Sequence, residues 1–347
     1  MTLPVINFVD ASCCDDAILE AVVLAEGIPV VHLGEPAGWP ENPLPLPPEV
    51  VVSPLSPLEQ WSLAPPGGLD VLGRLASALA GQLALPSRID GRGFVARCFS
   101  PRAAELIQPY ARRTVLRLGA DADPGHAYPT LPKDIALVFP QPGPGLSGAS
   151  ACVAWAAGRA DLQRRQDLRR RLGLGQDEVV LAAPQIPGRN SGHRQAIWAA
   201  AILAYAGYSY RVLMPDAGAV SLRELAFASH ARSESLCVLA PPEMGTLDIL
   251  AAADMAVFLG PLLPPVACLA ALAAGLPVIA ADSPQARRLG LAQMYVPAQK
   301  PRPLAQALLH LRDDPQAAGA LVSRGQALLG PHRLEILRPQ WQAILEA

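Results

Sequence analysis

The sequence predicts an α/β protein made of two domains, each a doubly wound parallel sheet with helices on both faces. Its 347 residues fit about two domains of ordinary size. Short apolar runs alternate with segments of helical spacing, the order typical of strand–helix–strand units. Runs such as VVLAA at 179–183 are apolar throughout, which indicates strands buried on both faces of a parallel sheet.

The first half begins with a strand–helix–strand unit. The segment 15–27 has helical spacing, with acidic residues favourable at its start and Gly27 as a stop. Strands are predicted on either side of it, over 4–10 and 28–34. Further strands are predicted over 49–55, 93–100 and 114–121, and further helices over 69–84 and 101–111.

The region from 122 to 160 is rich in proline and glycine, and QPGPGLSGAS at 141–150 is its extreme. Such composition favours turns and irregular connections. We therefore expect the linker near 122–160, a first domain over 1–160 and a second over 161–330. The last segment, 331–347, is predicted to be a helix that packs back toward the first domain.

The second half is more regular. Its opening helix, 161–174, is rich in arginine, which indicates a solvated helix face or, alternatively, a phosphate or nucleic-acid patch. Strands are predicted over 178–186, 210–218, 236–242, 255–260, 276–282 and 292–298. The helices between and after them are predicted over 193–207, 221–231, 246–254, 264–275, 284–290 and 302–314.

Composition excludes several classes of protein. The net charge of −2 offers no basic surplus to nucleic acid, so no nucleic-acid partner is expected. The segment 255–281 is uncharged and long enough to span a bilayer, but its four prolines break a helix, so no transmembrane segment is expected. The six cysteines form no metal-ligand spacing and suit a reducing compartment, and no signal peptide is evident. A cytoplasmic protein without a metal or cofactor is predicted.

The order of elements in the second half resembles the C-terminal domain of the retaining family-4 glycosyltransferases. The likeness covers about 167–325 and is carried by phrases such as AAADMAVFL at 251–259 and AAGLPVIA at 273–280. It implies the GT-B fold, in which two Rossmann-like domains face a cleft. The opening segment resembles a middle strand–helix–strand unit of the family's N-terminal domain, which implies that this domain is shortened.

In that family a nucleotide-diphosphate sugar binds at the carboxyl ends of the C-terminal strands, where an Arg, a Lys and two Glu hold it. Aligning SGH at 191–193 with the family's Lys-Gly-His puts Ile186 at the Arg position and Ser191 at the Lys position. The two Glu positions fall on Leu262 and Ala270. The resemblance thus implies a degenerate donor site, with these four residues along one wall of the cleft.

Other residues are candidates for binding in the same region. Arg189 or Arg194 would supply a shifted phosphate contact, or they are ordinary surface arginines. Gly192 belongs to the loop GRNSG, which would cradle an anion through backbone N–H groups. His193 either meets a ligand or packs at the start of its helix.

Candidates on the acceptor side are Asp10, His32 and Glu35, since the family's acceptor-side histidine lies near His32 and the register puts Glu35 closer to its position. The plain alternative for the two acids is that they are loop residues. The resemblance implies a nucleotide sugar as substrate and a glycan or lipid-linked acceptor. Two functions remain open: a glycosyltransferase with an altered donor site, or an inactive homologue that acts as a binding or scaffold protein with a protein partner.

Overall fold

The structure is a computed structural model. It describes residues 5–10, 15–25, 30–33, 50–52, 94–108, 111–119, 131, 135–140, 150–159, 161, 164–188, 190–230 and 233–346. These residues divide into two compact units. One unit holds the described residues before 157 together with those from 334 onward, and the other runs from 157 to 333.

The first unit is built on a parallel sheet of seven strands in the order β3-β2-β1-β4-β5-β6-β7. The strands are β1 (Val5–Asp10), β2 (Val30–Leu33), β3 (Val50–Val52), β4 (Val95–Cys98), β5 (Arg113–Arg117), β6 (Ala136–Phe139) and β7 (Ser150–Cys152). The helices among its described residues before the second unit are α1 (Asp15–Leu24) and α2 (Pro101–Ile107). Strand β1 lies inside the sheet, where it pairs with β2 on one side and β4 on the other.

The place of β1 inside the sheet corrects the expectation of a shortened domain. A middle strand–helix–strand unit would leave strands missing at the start, but the observed order is the full 3-2-1-4-5-6 winding with a seventh strand added. The predicted linker is also wrong in part, because β6 and β7 lie within 122–160 and complete this sheet. Both strands are short, so their apolar pattern is weak beside the surrounding prolines and glycines. Residues 141–149 and the helix predicted over 69–84 lie outside the described residues.

The second unit is built on a parallel sheet of six strands in the order β10-β9-β8-β11-β12-β13. The strands are β8 (Val179–Ala182), β9 (Tyr210–Pro215), β10 (Cys237–Ala240), β11 (Met255–Phe258), β12 (Val278–Ala281) and β13 (Met294–Val296). The helices are α3 (Arg165–Arg171), α4 (His193–Tyr205), α5 (Ala219–His230), α6 (Thr246–Ala252), α7 (Pro265–Ala273), α8 (Pro284–Leu289), α9 (Pro301–Asp313) and α10 (Pro315–Leu328).

Helix α10 is an element that the sequence analysis missed. The Asp314 side chain accepts a hydrogen bond from the Ala317 amide at 2.9 Å and caps the helix, and Pro315 occupies its first position. Both residue types are favoured there. The sequence Asp314-Pro315 therefore indicated the start of a helix.

The arginines of α3 are less solvated than the sequence suggested. Arg169 is buried and donates to the carbonyls of Ala252, Gly175 and Glu178. Arg165 and Arg169 both form ion pairs with Asp254, at 2.6 and 3.2 Å. These contacts join α3 to the end of α6, so part of the arginine-rich face is structural.

The last helix, α11 (Leu334–Glu346), belongs to the first unit. Its Leu337 and Trp341 are buried in a core with Val9 and Val115 from the sheet. The indole of Trp341 also lies 4.5 Å from the guanidinium carbon of Arg97 on β4. The helix thus covers one face of the first sheet.

Within the described residues, no helix has the length and apolar character needed to cross a bilayer. The described cysteines Cys98, Cys152, Cys237 and Cys268 form no disulfides. The side chain of Cys152 is exposed.

Candidate functional site

The strand order of the second sheet reverses between β8 and β11, and loops leave both strands at their carboxyl ends. Open parallel sheets bind ligands at such a switch point. The loop after β8 covers 183–192 and leads into α4. The loop after β11 covers 259–264 and leads into α7. These two loops hold most of the donor-side candidates.

Gly192 brings the two loops into contact. It has a φ of 82°, in the left-handed region that favours glycine. A Cβ placed on it would lie 2.3 Å from Cβ of Leu259 and 2.8 Å from the Leu259 carbonyl oxygen. Beside it, a Cβ on Gly260 would lie 3.5 Å from the carbonyl oxygen of Asn190. Glycine is therefore required at 192 by both conformation and space, and ligand binding is not needed to explain it.

Ser191 directs its hydroxyl into its own loop. Its Oγ accepts from the Gly188 amide at 2.8 Å and lies 2.6 Å from Nδ1 of His193. The Ser191 amide donates to the Gly188 carbonyl at 3.1 Å. Two backbone N–H groups that the sequence analysis offered to an anion are thus occupied within the loop.

His193 is the first residue of α4 and is buried. Burial lowers the pKa of its imidazole to about 4, against hydrogen bonds to the backbone of Ala183 and Gln185 that raise it. Because Nε2 lies 3.1 Å from the Ala183 carbonyl, which only accepts, the neutral ring donates its proton there. His193 therefore fastens the loop to the end of β8, which favours the packing alternative.

Arg194 is held by α5. Its Nε lies 3.2 Å from Oε2 of Glu224, and its guanidinium carbon lies 5.3 Å from the ring centre of Phe227. Glu224 is buried, so it depends on this partner. The hydrogen bonds to Glu224 all use Nε of Arg194, so a ligand that turned the guanidinium away would leave the carboxylate of Glu224 unpaired. Arg189 lies outside the described residues.

The loop after β11 is clamped by a side chain from α8. The Leu263 amide donates to Oε1 of Gln285 at 2.8 Å, and Nε2 of Gln285 donates to the Leu263 carbonyl at 3.1 Å. Leu263 is buried, whereas Leu262 is 64% exposed. The position that the resemblance assigns to the first glutamate is thus an exposed apolar side chain on a fixed loop.

Ala270 lies inside α7 and is fully buried. Its methyl group faces the packed interior, so Ala270 does not line an open wall beside exposed Leu262. Ile186 is half-buried in the loop after β8. The structure therefore joins Ser191, Gly192 and His193 with Leu259, and it leaves Ala270 out of this arrangement.

An ion pair after β12 was not singled out by the sequence analysis. Arg287 of α8 makes two hydrogen bonds to Asp282, at 2.8 and 3.0 Å, and its guanidinium carbon lies 4.1 Å from the ring centre of Tyr295. The hydrogen bond from Arg287 lowers the pKa of the Asp282 carboxyl. In the sequence, the aspartate directly after the apolar run VIAA could have indicated this ion pair.

The acceptor-side candidates lie in the first unit. Asp10 ends β1 and is buried, and one of its carboxylate oxygens accepts from the Ser100 hydroxyl at 2.5 Å. Ser100 in turn caps α2 by accepting from the Ala103 amide at 2.9 Å. Asp10 therefore supports the start of α2. His32 pairs through its backbone with Val9 and Val52, and Glu35 lies outside the described residues.

Among the residues that the structure describes, no group of three or more His, Cys, Asp or Glu side chains is placed to hold a metal ion.

The similarity of this chain to known proteins is a similarity of fold. No protein-family model and no curated protein matches the chain. Solved structures do match, among them Anabaena Alr3699/HepE in complex with UDP and glucose, with a TM-score of 0.65 and 14% identity over 99% of this chain and 100% of that one.

Two further structures show the same architecture. Sucrose-phosphate synthase from Thermosynechococcus elongatus has a TM-score of 0.54 and 15% identity over 99% of this chain and 96% of its own. WaaG, a glycosyltransferase involved in lipopolysaccharide biosynthesis, has a TM-score of 0.54 and 12% identity over 98% of both chains. This chain has the GT-B fold. At these identities the likeness is one of fold, and the chemistry of this GT-B chain must be argued from its own residues.

Proposed function

We propose that this GT-B chain is a glycosyltransferase homologue that binds a nucleotide-diphosphate sugar weakly, transfers little or no sugar, and acts as a binding or scaffold protein. The observation that carries the proposal is the Arg194–Glu224 ion pair. Among the described residues of 183–194, Arg194 is the one arginine or lysine, and a buried carboxylate already holds it.

The reasoning concerns the leaving group. When the bond between sugar and diphosphate breaks, negative charge grows on the diphosphate, and fixed cations stabilise it. Removing one such donor costs about 2.7–4 kcal/mol in comparable enzyme sites. Here Ser191 and Ile186 occupy the aligned cationic positions, and Leu262 and Ala270 occupy the acidic ones. Four uncharged residues thus stand where the family places four charged ones.

Some binding remains compatible with this site. The nucleobase would lie along the backbone after β10, near Leu239 to Pro241, since that contact needs no particular side chain. Losing two or three charge-assisted hydrogen bonds, each contributing about 1.5–3 kcal/mol, moves a micromolar site to millimolar or weaker. The acceptor, a glycan or lipid-linked molecule, would contact the first unit. A cytoplasmic location remains a prediction of the sequence.

Calorimetric titration with a panel of UDP- and GDP-sugars tests the proposal. We expect dissociation constants in the millimolar range for the full chain and no sugar transfer. Arg324→Ala, an exposed arginine on α10, is the control for general loss of positive charge. Micromolar binding that Arg189→Ala or Arg194→Ala abolishes, while Arg324→Ala leaves it intact, would overturn the proposal and establish a shifted cationic site.

The second candidate is a working transferase in which Arg194 exchanges Glu224 for the diphosphate. The observation in its favour is that the Arg194 side chain is 51% exposed and thus free to turn toward solvent. This candidate requires turnover that falls in Arg194→Ala and recovers in part in Arg194→Lys. Absence of turnover with every donor in the panel excludes it for those donors.

A further inference from the structure

A buried ion pair joins the first sheet to helix α1. Nε of Arg117, the last residue of β5, lies 2.9 Å from Oε1 of Glu20 on α1, and the two side chains are 1% and 5% exposed. Burying such a pair removes both charges from water, and this loss is recovered only when the remaining polar atoms of both groups also find partners. The other nitrogens of this guanidinium group therefore need partners of their own.

Nη1 and Nη2 of Arg117 are both buried, and no acceptor among the described residues lies within hydrogen-bonding distance of either nitrogen. The two nitrogens carry four N–H groups, and a guanidinium group stays protonated in proteins. Buried donors are almost always satisfied in folded proteins, and a charged donor left unmet costs more than a neutral one. Arg117 therefore requires an acceptor that the described side chains and backbone do not supply.

Arg117 lies on the face of the sheet that α11 covers. It pairs with Val138 of β6, and Val115 is two residues earlier on the same face of β5. Both valines belong to the core that also contains Leu337 and Trp341 of α11. A ligand of Arg117 must therefore be small enough to be enclosed when α1 and α11 pack on this sheet.

The unmet polar groups near this core favour a ligand that accepts and does not donate. The indole N–H of Trp341 is a further buried donor without a partner among the described residues. An unmet acceptor, Oδ1 of Asn7, lies on β1, two strands away from β5. A buried water molecule would need acceptors for its own hydrogens, whereas an anion needs none.

The charges around Glu20 favour an anion as well. The Glu20 carboxyl interacts with the positive charges of both Arg117 and Arg97, yet burial raises its pKa above the ordinary value. Burial thus works against the negative charge that balances Arg117 in this ion pair. A second, mobile negative charge would compensate the guanidinium group from its other side.

We propose that Arg117 binds a small inorganic anion, of the size of chloride, through Nη1 and Nη2 inside the first unit. A monatomic anion accepts several N–H groups at once, which suits the unmet donors of one guanidinium group. Phosphate is disfavoured, because a second negative charge would lie close to the Glu20 carboxyl and its oxygens would need more donors than Arg117 supplies. The inference does not depend on the proposed function.

Diffraction from crystals of the full chain grown in sodium bromide tests the site directly. Bromide takes the place of chloride and is located by its anomalous scattering. We expect an anomalous peak beside Nη1 and Nη2 of Arg117. A water molecule at that place, or a carbonyl or carboxylate oxygen of the chain, with no anomalous signal would overturn the proposal.

Urea unfolding of the full chain measures the same site in solution. At equal ionic strength, we expect the unfolding equilibrium constant to be about tenfold smaller in about 0.2 M sodium chloride than in sodium gluconate, as for a ligand with a dissociation constant of about 20 mM. Glu20→Gln removes the neighbouring negative charge and should raise this ratio to about 100-fold, because the anion then binds about tenfold more tightly. A merely structural role of Glu20 would lower stability equally in both salts.

Two arginine variants complete the test. Arg117→Met should abolish the difference between the two salts, whereas Arg324→Met, at an exposed arginine of α10, should keep it. If Arg117→Met does not fold, the Glu20→Gln ratio and the bromide peak still decide the matter. The same salt ratio in Glu20→Gln as in the unmodified chain, or loss of the ratio in Arg324→Met, would contradict an anion at Arg117.

Discussion

Arg194 and Glu224 form an ion pair with one solvated end and one buried end. The arginine Nε lies 3.2 Å from the glutamate Oε2, and the side chains are 51% and 2% exposed. A buried carboxylate loses its solvation and depends on its partner, whereas the exposed guanidinium can be solvated without it. The pair therefore holds the arginine of the β8–α4 segment more firmly than an ordinary surface ion pair would.

Releasing Arg194 should strengthen diphosphate binding. In Glu224→Gln the guanidinium no longer pairs with a charge, and we expect the dissociation constant for UDP to fall about tenfold, the worth of one charge-assisted hydrogen bond. Calorimetry measures this change. Glu178→Gln, which removes the partner of Arg211 at the opposite end of β8, should leave the constant unchanged. An unaltered affinity in Glu224→Gln would show that Arg194 does not reach the ligand.

Comparing Gly192→Ala with Gly207→Ala separates the effect of backbone conformation on stability from the effect of steric crowding. Gly192 and Gly207 both have positive φ, at 82° and 89°, but a Cβ on Gly207 meets nothing within 4 Å. Gly207→Ala should lower the free energy of unfolding by about 1–2 kcal/mol through conformation alone. Gly192→Ala adds the collision with Leu259 and should lose about 1–3 kcal/mol more. Urea unfolding measures both, and equal losses would mean that the two loops are not in contact.

The free energy of unfolding of the protein should fall at acidic pH because of His193. Its pKa is about 4 in the folded protein against an ordinary value of 6.5, so between pH 6.5 and 4 the unfolded chain binds a proton that the folded one does not. The stabilisation is complete above pH 6.5 and is lost as pH falls toward 4, by about 3 kcal/mol over the window. His193→Gln should flatten this part of the profile, while His310→Gln, at an exposed site, should not. An unchanged profile in His193→Gln would contradict the buried neutral ring.

Restoring a carboxylate at position 270 should damage the fold. Ala270 is fully buried, so Ala270→Glu must place both volume and charge in a packed helix, at a cost of about 3 kcal/mol or more. Ala273→Glu, on the same helix but half-buried, should cost less than half as much. Thermal unfolding compares the two. Wild-type stability of Ala270→Glu would mean that this side chain reaches solvent, as the resemblance implied.

Much of the second unit could be predicted from local pattern. The apolar runs that became β8, β11 and β12 are each bounded by polar or turn residues, and their burial on both faces follows from a parallel sheet. Short strands were harder, since β6 and β7 have four and three residues among prolines and glycines. Their pairing with the rest of the sheet comes from neighbours distant in sequence, which no local pattern contains.

The sequence by itself determined the two-sheet α/β architecture, because residue type and periodicity are local properties of the chain. The tertiary structure alone decided which polar groups are already engaged in ion pairs or hydrogen bonds. It alone paired Arg194 with Glu224, placed the Ser191 hydroxyl beside the His193 ring, and buried Ala270. These partners are brought together by packing between elements, since a side chain's solvation and hydrogen bonds depend on what folds against it.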